Sequence, residues 1–268
     1  MQKSQMKSLI KKLTHRISGG RLDRYLTKHD NPVFGLLFTL ARHRYTTEGL
    51  VFTYPKKLVG LGFRSRFLFD LYELPERQLL KRHLRPDDQV LELGGCMGVI
   101  SCVSNKLIDP KLGKHVVVEA NPDLIPTLFA NRTLNYSWFL VEFCCVASGS
   151  HSTFFLHDLI VGGSSTRPTS RSIHVVNRSL VELQEKHGKF NVLIMDIEGG
   201  EYDLIRTFAD LLQDYRLIIM ELHDSILGTL KAEECRVMLR NVGFKLEESC
   251  ESTEVWIHGE GEFAAALI

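Results

Sequence analysis

No two cysteines in this chain are spaced as C-x-x-C. The six, at 96, 102, 144, 145, 235 and 250, are scattered, so neither a zinc ribbon nor a disulfide framework is indicated, and free thiols in a reducing, cytoplasmic setting are expected. Long apolar runs are missing too. A stretch such as VFGLLFTLA, residues 33–41, falls far short of the ~20 residues a spanning helix needs, so neither a membrane span nor a secretory signal is expected. Internal repeats and low-complexity tracts are absent, which excludes solenoids and arrays. What remains is 268 residues, 44% hydrophobic and 24% charged, enough for one sizeable core with or without an appendage.

Acids are scarce at one end. Residues 1–66 hold 14 Lys or Arg against Asp23, Asp30 and Glu48, a net of +11, and the remainder holds 19 against 29, a net of −10. The opening MQKSQMKSLIKKLTHRISGG sets Met6, Ile10, Leu13 and Ile17 at helical spacing, with Lys3, Lys7, Lys11, Lys12 and Arg16 off that stripe. This predicts a short basic amphipathic helix, suited to packing on the main domain or to peripheral contact with an anionic membrane. The chain therefore divides into a basic N-terminal extension, 1–70, and a main domain, 71–268.

From about residue 75, strand-like runs alternate with helix-like segments. Strands are predicted at Gln89–Leu93, His115–Glu119, Leu140–Val146, Asn191–Met195 and Leu217–Glu221, and helices at Pro75–Leu84, Val99–Leu107, Pro122–Leu134, Ser179–His187, Tyr202–Leu212 and Lys231–Val242. Thr153–Leu156 and VGGSSTRPTS suggest a loop or small hairpin. Phe244–Glu248 and Glu254–His258 lie close enough to pair antiparallel. Alternating βα units imply a mostly parallel sheet covered by helices on both faces, with ligands beyond the carboxyl ends of its strands.

The stretch VLELGGCMG, residues 90–98, follows the first of these strands. It is not G-x-G-x-x-G, and Glu92 would repel a pyrophosphate. A cationic, phosphate-free nucleoside fits better. S-adenosylmethionine carries a sulfonium and an ammonium that Glu92 could attract, while Gly94, Gly95, Cys96 and Gly98 bring backbone close and Glu119 accepts both ribose hydroxyls, with Ala120 and Asn121 beside it.

At these residues the chain resembles the FkbM-type methyltransferases. DDQVLELGGCMGVIS looks like the family's cofactor loop, VVVEANPDLIPTLFANRTLN its second strand and E-x-N-P segment, FNVLIMDIEGGEYDLI its D-x-E-G-x-E element, and LIIMELH the strand after it. The resemblance covers roughly residues 72–258. It departs at Cys96, where the family is usually polar and often has asparagine, and at Met195, where a basic residue often stands. It implies a Rossmann-like, seven-stranded, mostly parallel sheet with an antiparallel closing strand, S-adenosylmethionine as cofactor, and O-methylation, commonly on a sugar or natural product.

MDIEGGEY gathers Asp196, Glu198 and Glu201 at a strand's carboxyl end. A hydroxyl becomes a good nucleophile once a base takes its proton, which assigns Asp196 to the reaction centre, Glu198 as alternative base or acceptor-binding group, and His223 as a second base. Glu201 either binds the acceptor or caps the following helix. Arg64 and Arg66 are candidate acceptor contacts. No metal is expected, although Asp196 and His223 could ligate one. The expected enzyme methylates a hydroxyl of a small molecule or glycan precursor without a nucleic-acid partner. A nicotinamide-dependent oxidoreductase and a non-catalytic anion-binding protein are the alternatives.

Overall fold

The computed structural model describes residues 30–41, 44–160, 163–164 and 166–259, so the basic helix expected at the N-terminus lies outside the described residues. The chain forms two compact units, Met1–Leu74 and Pro75–Ile268, dividing four residues beyond the expected boundary.

The first unit has an aromatic core of its own. Helix α1 (Pro32–Ala41), a hairpin of β1 (Tyr45–Thr47) and β2 (Leu50–Phe52), and helix α2 (Arg64–Phe69) surround Phe67. Its ring stacks on Tyr45 at 4.9 Å and meets Phe38, Tyr54, Phe63 and Tyr72 within 5.8 Å, contacts that add to the burial of each ring. Arg64 and Arg66, expected to touch an acceptor, are engaged within this unit. Arg64 donates to Val59 O, Thr39 Oγ1 and Lys56 O, and Arg66 makes a two-pronged ion pair with Asp30 at 2.8 and 2.9 Å. A guanidinium whose fork is already matched to a carboxylate has little left to offer a ligand.

The second unit opens with α3 (Leu74–His83) and is built on a seven-stranded sheet. In chain order its strands are β3 (Gln89–Leu93), β4 (Lys114–Val118), β5 (Leu140–Glu142), β9 (Val192–Met195), β10 (Leu217–Glu221), β11 (Phe244–Cys250) and β12 (Thr253–His258). Their spatial order is β11-β12-β10-β9-β3-β4-β5, parallel except for β12, which pairs antiparallel on both sides. Alternate strand residues feed two cores. Leu91, Leu93, Leu193, Met195, Ile218 and Met220 face one, with α6 (Leu180–His187), α7 (Glu201–Leu212) and α8 (Thr229–Asn241); Val90, Val192, Ile194, Leu217 and Ile219 face the other, with α3 and α4 (Val99–Leu107). Burial on both faces is why these strands read as unbroken apolar runs.

The expected strand Leu140–Val146 is two strands. β5 joins the main sheet, and β6 (Cys145–Val146) begins a second, three-stranded sheet of order β6-β8-β7. The anticipated small hairpin is a long one, in which β7 (His151–Leu156) pairs along its whole length with β8 (Arg171–Arg178). β8 escapes a sequence reading because only Val175 and Asn177 of its eight residues are buried.

The chain runs outward from β3 through β4 to β5 and then returns to β9 on the other side of β3, so strand order reverses between β3 and β9. The crevice at that reversal is where such sheets bind ligands. At the opposite, amino ends, buried Asp88 before β3 accepts from Arg216 Nε at 2.8 Å, from its NH2 group and from Arg85 N. Asn191 before β9 accepts from Gln89 N at 2.7 Å and donates to Asp88 Oδ1. One side chain ahead of each of three adjacent strands thus fixes their relative register. Asp88→Ala would strand the Arg216 charge among these groups and should cost about 3–5 kcal/mol in urea denaturation, with Asp88→Asn intermediate. Equal stability of Asp88→Ala and the parent would show that the clamp holds nothing.

Candidate active site

Two loops meet at the reversal. Gly94, just beyond β3, has φ +92°, and a Cβ there would lie 1.9 Å from the Asp196 carbonyl oxygen, so only glycine lets the first loop pass the end of β9. A Cβ on Gly95 would meet Val117 at 2.5 Å, and one on Gly98 would meet Leu128 at 2.7 Å. These glycines, expected to admit a cofactor, are demanded first by the protein's own atoms. Between them Cys96 is held at φ +47°, a left-handed conformation that asparagine tolerates better than most residues.

Glu119 follows β4 and is buried. Its Oε2 accepts the Cys96 N–H at 2.6 Å and its Oε1 the Asn121 N–H at 2.7 Å, so one carboxylate ties the two strand-end loops together. Burial pushes its pKa up to about 7 against the pull of these N–H groups. Each oxygen retains acceptor capacity. Ala120 packs on the core of the second sheet, and Asn121 Oδ1 accepts the Asp123 N–H ahead of α5 (Ile125–Leu134).

Glu92 has a different role from the one expected. It is 1% exposed and lies within β3, where Ser101 Oγ donates to one carboxylate oxygen and His115 Nε2 stands 3.0 Å from the other. Both oxygens are engaged inside the fold beneath α4, so Glu92 braces the strand that carries the loop and does not meet a ligand's positive end.

The D-x-E-G segment is brought together with His223. Asp196 N donates to Leu93 O at 3.0 Å, which pins the carboxyl end of β9 to that of β3. His223, two residues past β10, holds Nε2 3.6 Å from both Asp196 Oδ1 and Glu198 Oε2, while Nδ1 lies 2.9 Å from Glu201 Oε1. Glu201 is fully buried and its Oε1 also accepts the Gly199 N–H at 3.1 Å. It therefore neither lines a cavity for an acceptor nor acts as a helix cap alone; it orients His223. Burial pulls the His223 pKa down, but the hydrogen bond to Glu201 and the charges of Asp196, Glu201 and Glu198 outweigh it and hold the ring at about 9. Near neutrality the ring is protonated, so His223 is a cationic brace rather than the second base.

Asp196 is 37% exposed as a side chain, yet its Oδ1 is sealed from solvent and has no hydrogen bond. Burial and the Glu221 charge raise its pKa well above the ordinary carboxylate value, with His223 opposing. Glu198, raised chiefly by burial, stands at φ +51° ahead of Gly199 at φ +94° and pairs with Arg167 at 2.9 Å. A non-glycine residue held left-handed at a strand end is strain kept in place by its surroundings. Here Ser164 Oγ donates to Glu198 O, and a Cβ on Gly199 would press on Ile226 and Thr166.

Sequence reasoning missed Arg167, Glu76 and Glu221. Glu221 ends β10 and accepts from Ser252 Oγ at 2.7 Å, and Glu76 of α3, raised to about 7 by burial and by the Glu221 charge, accepts from Thr253 Oγ1 at 2.8 Å. An acid at the end of a doubly buried strand was the available signal for Glu221; α3 gave none for Glu76. Asp196, Glu221 and His223 each present one ligand atom within 4.8 Å of the others, a spacing that would also suit a divalent cation. A cavity of about 360 Å³ opens beside Glu221 and His223, lined also by Arg236 and Glu254.

The sign of the His223 titration is testable. A ring raised from 6.5 to about 9 on folding stabilises the fold fully below pH 6.5 and loses that contribution as the pH rises through 9. Glu201→Gln should lower the midpoint of the His223 ring, followed by NMR, by roughly one unit or more. A parent ring titrating below pH 7 would contradict the geometry.

No curated protein matches the chain in a sequence search. Among solved structures it is similar to a precorrin-6y C5,15-methyltransferase from Geobacter metallireducens, with 13% identity over 77% of this chain and 91% of that one and a TM-score of 0.45. It is also similar to the ribosomal protein L11 methylase of Lactobacillus delbrueckii (13% identity, 67% and 74% covered, TM-score 0.42) and to Aeropyrum pernix fibrillarin with natively bound S-adenosyl-L-methionine (13%, 68% and 72%, TM-score 0.38). The model of the methyltransferase FkbM domain matches residues 92–246, the span that holds both strand-end loops, Glu119, the D-x-E-G segment and His223. That span is more than half of the 268 residues, and the chain belongs to the FkbM methyltransferase family.

Proposed function

We propose that this methyltransferase transfers the methyl group of S-adenosylmethionine to a hydroxyl of a polar small molecule, in the class of sugars, glycan precursors and hydroxylated natural products. The observation that carries this is the Asp196 carboxylate, a group of raised proton affinity whose side chain is still 37% exposed where the loops after β3 and β9 touch, with Oδ1 3.6 Å from His223 Nε2 and in no hydrogen bond.

The residues present fit the cofactor. Glu119 has acceptor capacity left for a ribose diol, Cys96 and Asn121 hold it in place, and the Gly94–Gly98 loop and Asp196 border the same crevice. When bound, S-adenosylmethionine supplies an electrophilic methyl group on a sulfonium. The chain's own residues prepare the other reactant. The exposed part of the Asp196 carboxylate, in its ionised form, takes the proton of the acceptor hydroxyl, and its raised proton affinity makes it a stronger base than an ordinary aspartate. The His223 ring, steered by Glu201, stands between Asp196 and Glu198 and keeps the two carboxylates apart and in place. Arg167 holds Glu198 from the other side. The charged side chains that line the cavity beside Glu221 and His223, Arg236 and Glu254 among them, support an acceptor that carries hydrogen-bonding groups.

Glu119→Ala should weaken S-adenosylhomocysteine binding by ~1–3 kcal/mol in calorimetry without unfolding the chain, and NAD should not bind. Unchanged affinity would take Glu119 out of the cofactor site. Tritiated methyl transfer to a panel of sugars and polyhydroxylated natural products should give an ether methyl group by NMR. Asp196→Asn should then keep S-adenosylhomocysteine affinity within a few-fold and lower turnover by about two decades or more. Equal losses in both would make Asp196 a binding residue, and methyl groups found only on nitrogen or carbon would overturn the acceptor class.

A further inference from the structure

Helix α1 is apolar on two opposite faces. Phe34, Gly35 and Phe38 point into the first unit, while Val33, Leu36, Leu37 and Leu40 are 57, 47, 49 and 73% exposed. At the helical step of about 100° per residue the exposed four share one arc of about 100°, opposite the buried three. The helix cannot roll to hide them. A Cβ on Gly35 would lie 1.6 Å from the Leu61 carbonyl oxygen, so the inner face is in backbone contact, and Thr39 is tied through Arg64 to the Lys56 carbonyl.

The charge around this helix is of one sign. The 29 residues before Asp30 contain eight Lys or Arg and one acid, Asp23, a net of +7, and Arg42 and Arg44 follow the helix directly. Lys56 and Lys57, joined to α1 through Arg64, are exposed. A second copy of this chain would set like charge against like. At ten residues, roughly 15 Å, the helix is too short to cross a bilayer but long enough to lie in its interface. We propose that α1 is a membrane-contacting helix, its Val33, Leu36, Leu37 and Leu40 face seated among acidic phospholipid headgroups while the flanking lysines and arginines meet the phosphates. The cations bring the chain to the surface in a salt-dependent way, and the apolar arc holds it there.

The test uses the full chain with phosphatidylcholine vesicles, with and without phosphatidylserine, at low salt. The parent should sediment with the phosphatidylserine vesicles alone. A chain carrying Leu36→Ser, Leu37→Ser and Leu40→Ser should bind them at least about tenfold more weakly at an unchanged melting temperature. Independently, the emission that Leu40→Trp adds over that of the parent's Trp138 and Trp256 should shift to the blue on adding acidic vesicles but not neutral ones. The proposal falls if the triple variant sediments like the parent, or if the Leu40→Trp emission ignores acidic vesicles. It falls equally if that emission is already blue-shifted without vesicles, which would put residues 1–29 on the face, or if the parent is a dimer in buffer that the triple substitution dissociates.

Discussion

Three polar side chains at the amino ends of the central strands set the geometry on which the catalytic end depends. Asp88, Asn191 and Arg216 are joined by hydrogen bonds and an ion pair across β3, β9 and β10, and Asp88 is withdrawn from water. A slip of one residue in any of these strands would move its inward side chains to the other core and break the pairing of both neighbours. The clamp forbids that slip. At the far end, Leu93, Met195 and Met220 then arrive level, and the loops after β3 and β9 can touch with only a glycine's clearance.

That closeness explains why the site tolerates strain. Cys96 and Glu198 are both non-glycine residues held left-handed, one in each loop, and each is fixed by a bond that a relaxed backbone would lose: the Cys96 N–H to Glu119, and the Glu198 carbonyl to Ser164. Burial first, and the repulsion of neighbouring carboxylates second, raise the pKa values of Glu76, Asp196 and Glu198. The proton held on His223 offsets part of that repulsion.

The sheet was legible because burial on both faces leaves strands as plain apolar runs. Gln89–Leu93 and Leu217–Glu221 have the ends their composition suggests, and the helices differ by three residues at most. The first unit was not legible as a folded body, since Phe38, Tyr45, Tyr54, Phe67 and Tyr72 follow no single period and meet only in space. β8 was hidden by its exposed residues. At the site, residue type announced Asp196, Glu198 and Glu119, but not the direction of each side chain. Glu92 shares a motif with the glycines and is engaged by Ser101 and His115, and Glu201, two helix positions from solvent-facing Asp203, is sealed under His223.

The hairpin of β7 and β8 stands apart from all of this. Its strands belong to the small second sheet, yet the segment between them delivers Ser164, itself bonded to Thr166, to the backbone of Glu198 and Arg167 to its carboxylate. Nothing in the seven-stranded register fixes the length of that segment. A substitution at Arg167 therefore reaches the D-x-E-G loop through Glu198 and leaves the pairing of the seven strands untouched.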